Sequence, residues 1–147
     1  MTGENRKLHE NNQDEGLKGN EKIEEAIAVL QKNAAPEELA HTLTVIRRRM
    51  KERGQLIVAV EPAFDSSGIR LRAVKTPDGA KWWAAFTSFE EEMAGADQVK
   101  SAFLSDMDKL FETALTVQEI QGIIINPWNR TLMLNKELIK IILPESK

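Results

Sequence analysis

The stretch GIIINPWNRTLMLNKELIKIIL, residues 122–143, decides the fold class. Gly122-Ile123-Ile124-Ile125-Asn126 is an apolar, β-branched run suited to a strand buried on both faces. Pro127 cannot donate to a ladder and biases Asn126 towards extended backbone, so the strand, 122–126, ends there. The Asn126 side chain is placed to bond nearby amides and shape a turn over 127–130. A second strand follows at 131–134. Asn135 then stands where a helix over 136–143 needs its cap, with Pro144 as the stop. Trp128, set directly after Asn-Pro, is either a lid folded back over the core or a surface that meets a partner.

Working outward, the rest of the chain supplies a matching sheet and helices. GQLIVAVEP, 54–62, carries Leu56, Val58 and Val60 on one face and Ile57 and Ala59 on the other, as a central strand does. Residues 69–75 alternate Ile69, Leu71 and Ala73 inward with Arg70 and Arg72 outward. TPDG then turns the chain into AKWWAAFT, 80–87, completing a hairpin. Ile23, Ala26, Ile27 and Leu30 recur at helical spacing and predict a helix from Asn20 to near Asn33. Pro36 opens a second helix with the stripe Leu39, Leu43, Ile46 and Met50, and Gly54 is placed to stop it. Ser88 with Glu91 reads as a capping box, and Ser105 with Asp108 as the cap of SDMDKLFETAL, 105–115. Residues 95–104 receive no assignment. Helix, helix, hairpin, helices, hairpin, helix implies an α+β fold: a mixed or antiparallel sheet of about five strands packed against helices in a single domain, 21–147. Residues 1–20, with only Met1, Leu8 and Leu17 as sizeable apolar groups, are expected to form a flexible polar tail.

Composition narrows the function classes. The 147 residues suit one domain, and 20 Lys plus Arg against 23 Asp plus Glu create no general field for nucleic acid or an anionic membrane. The absence of cysteine removes disulfides, thiolate metal sites and Cys nucleophiles. The N-terminal sequence has no apolar signal segment, and no run of about 18 uncharged apolar residues occurs, so a cytoplasmic, non-membrane protein is expected.

The run WWAAFTSFEEE, 82–92, followed by GIIINPWNRTLML, 122–134, and a short apolar helix resembles the N-terminal domain of the SseB family, over residues 21–143. In that family a strand ends in Phe-Thr-Ser or similar before a helix, and a later apolar strand ends in Asn-Pro before a short strand and a terminal helix. The resemblance implies a bacterial, cytoplasmic protein of a family named for enhanced serine sensitivity. It supplies no catalytic residues to carry over. The chain ends at Lys147, short of the C-terminal domain of longer members.

Few residues offer chemistry. His9 lies in the expected tail, and His41 lies off the Leu39–Leu43 stripe of its helix without an indicated partner. Glu90, Glu91 and Glu92 form the densest carboxylate group, which a first helical turn explains without a metal. The glycines are scattered, with no phosphate-cradling run. Arg47, Arg48, Arg49, Lys51 and Arg53 form a basic run, yet they sit at a helix C-terminus and lack interleaved aromatics, so nucleic acid is not the expected partner. Trp82 and Trp83, adjacent on a strand, must face opposite sides of the sheet. The expected role is a non-enzymatic, protein-binding or regulatory module, of an immunity or effector-masking type. It needs no cofactor or metal, and its partner contacts are Arg70, Arg72, Trp83, Trp128 and Arg130. The alternative is a small-ligand sensor for amino-acid-related compounds, or an enzyme, with a pocket between the central strand and the helices.

Overall fold

The computed structural model describes residues 15–62, 69–89, 91, 101–127 and 129–143. Helix α1, Glu21–Lys32, forms where the apolar spacing requires it and buries Ile23, Ala26 and Ile27. Helix α2, Pro36–Lys51, opens on Pro36 and buries Leu43, Val45, Ile46 and Met50. Its end differs from the sequence reading. Arg53, not Gly54, takes the left-handed conformation, with φ 69°, and the Gly54 amide donates to the Arg49 carbonyl at 2.8 Å. Gly54 is needed for room: a Cβ there would lie 2.7 Å from that carbonyl oxygen.

Strand β1, Gln55–Pro62, is central, as its two apolar faces required. Along one edge it pairs antiparallel with β5, Ser101–Asp106, from Gln55 opposite Asp106 to Val60 opposite Ser101. Its other edge meets two partners. Ile57 and Val58 oppose Phe86 and Ala85 of β4, Lys81–Phe86, while Val60 to Pro62 oppose β2, Ile69–Leu71. At Arg72 the chain changes neighbour and continues as β3, Ala73–Lys75, which pairs with β4. The Arg72 amide donates to Ala59 and its carbonyl accepts from Ala84, so this segment is a wedge between β1 and β4. The far edge of β4 runs parallel to β6, Gly122–Ile125, and β6 runs antiparallel to β7, Leu132–Asn135.

The expected α+β domain with a mixed sheet is therefore observed, with more strand segments than the five anticipated. One addition comes from the break at Arg72 and another from β5, which falls partly in the unassigned stretch. SAFLSD is half polar, as edge strands are, and that composition hides it from a search for apolar runs. Ser105 lies inside β5, so the expected Ser105 cap is not made: its hydroxyl donates to the Asp106 carbonyl at 3.4 Å, and helix α3 begins at Met107 and ends at Thr116. Helix α4, Lys136–Ile142, is capped as expected, with Asn135 Oδ1 accepting from the Leu138 amide at 2.9 Å. Asn135→Ala is expected to lower stability by about 1 kcal/mol, read from urea denaturation. Pro144 lies outside the described residues.

Helices α1 to α4 share one core with a single sheet face. That core takes Leu56 and Val58 from β1, Ala85 from β4, Ile123 and Ile125 from β6, and Phe111 from α3. On the opposite face a smaller cluster gathers Ile57, Ala84, Phe86 and Ile124 around Leu17. Residues 15–20 are thus part of the fold and not of the expected tail. Leu17 lies in a short 3-10 turn, Glu15–Leu17, and is buried. Asn20 is also buried, and its side-chain amide donates to the carbonyls of Gln55 at 2.9 Å and Thr87 at 3.1 Å. The remaining expected tail residues, 1–14, lie outside the described residues.

Candidate functional site

Of the five residues expected to contact a partner, Arg72 and Trp83 lie on opposite faces of the sheet and Arg130 lies apart from both, in a polar cluster. The two tryptophans do face opposite sides, but it is Trp83 that packs, partly buried, against the helix-covered core. Trp82 packs against the smaller cluster on the other face. The β3–β4 register pairs Ala73 with Trp83 and Val74 with Trp82. Alternation therefore places Arg72 with Val74 and Trp82, away from Trp83. Arg70 stands opposite Glu61 in the β1–β2 ladder. Trp128 lies outside the described residues.

Trp82 carries an uncommon cost. Its indole Nε1 is buried without a hydrogen-bond partner, a state that penalises a polar group by roughly 1–3 kcal/mol. Trp82→Phe removes that donor and is expected to leave the urea-denaturation stability within about 1 kcal/mol of wild type, on either side.

Arg130 is engaged internally, at the carboxyl-terminal ends of the parallel pair β4 and β6. There Asn126 is fully buried and adopts φ 53°, the left-handed region, contrary to the extended conformation that the following proline favours. Asparagine tolerates this conformation, and its side chain offsets the strain. Asn126 Oδ1 accepts from the Thr87 amide at 3.0 Å, and its Nδ2 donates to Thr87 Oγ1 at 3.0 Å. The Thr87 hydroxyl in turn donates to Glu24 Oε2 of α1 at 2.5 Å. Arg130, also left-handed at φ 46°, places its Nη1 3.5 Å from Glu24 Oε1 and its Nε 3.3 Å from Glu91 Oε2. Asn129 Nδ2 donates to the same Glu91 oxygen at 3.3 Å, and the Glu91 amide donates to Ser88 Oγ at 3.2 Å, as the expected cap requires.

This end of a parallel pair is where ligands enter many α/β sheets. Here side chains fill it. Thr87 is fully buried and its hydroxyl both donates and accepts within the cluster, so it faces no substrate. The cluster ties α1, β4 and the turn after β6 to one another, and within it Arg130 meets two carboxylates. The signal available in the sequence, a basic residue four positions after Asn126, does not distinguish this use from contact with a partner.

The basic run of α2 is also divided. Arg49 is 5% exposed. Its guanidinium donates to Asn20 Oδ1 at 2.9 Å, to the Gly16 carbonyl at 2.9 Å and to Glu52 Oε1 at 2.8 Å. The hydrogen bond from Arg49, with its charge, holds the Glu52 carboxyl below the usual carboxylate range. Arg47, Arg48, Lys51 and Arg53 remain exposed, as does His41.

Sequence reading missed one surface feature. Between α2 and α4 lies an outward-opening groove of about 380 Å³. Its α2 wall is a second stripe, Pro36, Ala40, Thr44 and Arg47, running beside the core stripe at Leu39 and Leu43. Its α4 wall includes Ile141, which is 58% exposed. The helical spacing of that second stripe was present in the sequence, but its small and polar members carry no apolar signal.

Among the described residues no group of three or more His, Asp or Glu side chains is arranged to hold a metal, and no helix is long and apolar enough to cross a membrane. No family model, curated protein or solved structure matches the chain.

Proposed function

We propose that the chain is a non-enzymatic protein-binding module of the SseB type, bacterial and cytoplasmic, which regulates or masks a cognate protein. The observation that supports this reading is the unequal dressing of the sheet. All four described helices pack on one face, whereas the other carries a small apolar cluster on which, among the described residues, only Leu17 and Phe89 pack from outside the strands. Trp82 and Arg72, both partly exposed, give that face an aromatic anchor beside a cation, the residue types that dominate protein–protein hot spots. The polar clusters elsewhere support the same reading, because Arg49 and Arg130 and the carboxylates that meet them serve packing.

Affinity capture from source cells with wild type and Arg72→Glu, each checked by thermal melting, tests the proposal. The captured protein, once purified, should bind Arg72→Glu at least about tenfold more weakly. Equal affinity for both would remove this face as the contact. A small-ligand sensor would instead need space between β1 and the helices, which Leu56, Val58, Ile46 and Met50 fill. A thermal-shift screen with amino acids and nucleotides addresses that alternative: a ligand at a hundred times its Kd adds about 2.7 kcal/mol. A specific, saturable shift would displace the protein-binding reading.

A further inference from the structure

The groove between α2 and α4 opens outward. Its α2 stripe runs from Pro36 to Arg47, about 16 Å at 1.5 Å per residue. That is long enough for three turns of a second helix. The small side chains of Ala40 and Thr44 lower the ridge between the larger ones, so another helix can approach closely. Ile141 supplies exposed apolar surface at the opposite wall.

Charge along α2 is ordered by sign. Glu37 and Glu38 occupy the first turn, and Arg48, Arg49 and Lys51 the last, just after Arg47. Arg47 and Glu37 have no ion pair or side-chain hydrogen bond among the described residues, unlike the buried Arg49 and the clamped Arg130. With Glu37 next to its Pro36 end, the small side chains Ala40 and Thr44 in the middle and Arg47 at the other end, the stripe is complementary to itself when reversed. A two-fold axis produces that reversal, since the same patch must then serve both sides. With the axis between Ala40 and Leu43, Ala40 faces Leu43 of the second copy, Leu39 faces Thr44, and Arg47 faces Pro36 and so stands beside Glu37. Leucines meet the smaller Ala40 and Thr44, Arg47 meets Glu37 at each end, and antiparallel helix dipoles add to the match.

We infer that this chain forms a two-fold homodimer in which the α2 helices pack antiparallel across the α2–α4 groove. The contact is independent of the sheet face carrying Arg72 and Trp82, which stays free on each protomer. A foreign amphipathic helix or a small amphiphile would not require the end-to-end charge reversal along α2.

Sedimentation equilibrium of the full chain tests this over a range from low to high micromolar concentration. The expected result is a concentration-dependent approach to twice the 16.6 kDa chain mass. Ala40→Glu, at an exposed position, should raise the dimer dissociation constant by at least about a hundredfold, because symmetry buries the new carboxylate twice. Glu37→Arg or Arg47→Glu alone should raise it at least about tenfold, and the two together should return it to within about threefold of wild type. That restoration is peculiar to a self-complementary interface. A monomer at every concentration overturns the proposal, and so does a dimer that Ala40→Glu leaves intact. A double charge swap no better than either single one also overturns it. Thermal melting of each variant checks that the monomer fold is retained.

Discussion

A single methyl group added at residue 122 is expected to cost about 3 kcal/mol of stability, the upper part of the range for overpacking a well-filled interior. Gly122 opens β6 and pairs with Trp82 on one side and Asn135 on the other. A Cβ there would lie 2.0 Å from the Leu134 carbonyl oxygen and 2.8 Å from the Asn135 Cα. Both obstacles are backbone, so no side-chain rotation relieves them and β7 must move away from β6. That movement would also disturb Asn135, the cap of α4. Gly79→Ala is the control: nothing lies within 4 Å of its Cβ, and only the φ of 90° is unfavourable, a penalty of about 1–2 kcal/mol. Urea denaturation of the two variants beside wild type distinguishes crowding from backbone strain. If Gly122→Ala proves no worse than Gly79→Ala, the close approach of β6 and β7 is not what constrains this position.

Asn126→Ala is the second substitution expected to be costly, at about 3 kcal/mol. Two side-chain hydrogen bonds to Thr87 are lost, each worth about 1 kcal/mol net. Alanine must also occupy φ 53° without a compensating side chain, adding about 1 kcal/mol. Asn126→Gly removes the strain but not the loss of bonding, so it should fall between alanine and wild type. Asn126→Asp keeps the acceptor for the Thr87 amide yet replaces the donor with a carboxylate oxygen, close to the Thr87 hydroxyl that already serves Glu24. It should be at least as damaging as alanine at neutral pH. An order in which glycine is worse than alanine would show that the left-handed backbone carries no strain.

These two sites also mark the limit of what the sequence disclosed. The apolar faces of 55–59, the hairpin over 73–86 and the Asn135 cap were legible because each is written in neighbouring residues: alternation, a turn pair, a side chain three positions from an amide. The parallel pairing of β4 with β6 was not, since its register joins residues with no local signal in common. The carboxylates that Arg130 meets were not legible for a related reason. Its partners Glu24 and Glu91 come from α1 and from the residues after β4, and nothing near Arg130 in the chain announces them. Arg49 was readable in principle: it follows Ile46 by three positions and precedes Met50 by one, on the buried side of the helix. Neighbouring arginines made it look like part of a solvated run. Which of Trp82 and Trp83 lies on the face away from α1 to α4 was undetermined by alternation alone, which fixes that the two differ but not which side the helices take.

The parallel pairing has a consequence for the order in which the chain assembles. α1 with α2, the β3–β4 hairpin and the β6–β7–α4 unit each close short loops and can form early. The ladder from Trp82–Gly122 to Ala85–Ile125 closes a long one, across β5 and α3, and is unrewarded until both pieces exist. The slow step of folding is therefore expected to be the docking of locally formed pieces along long-range ladders, of which this seam is one and β1 with β5 another. Substitutions that weaken the seam should retard refolding, while leaving early helix formation unchanged.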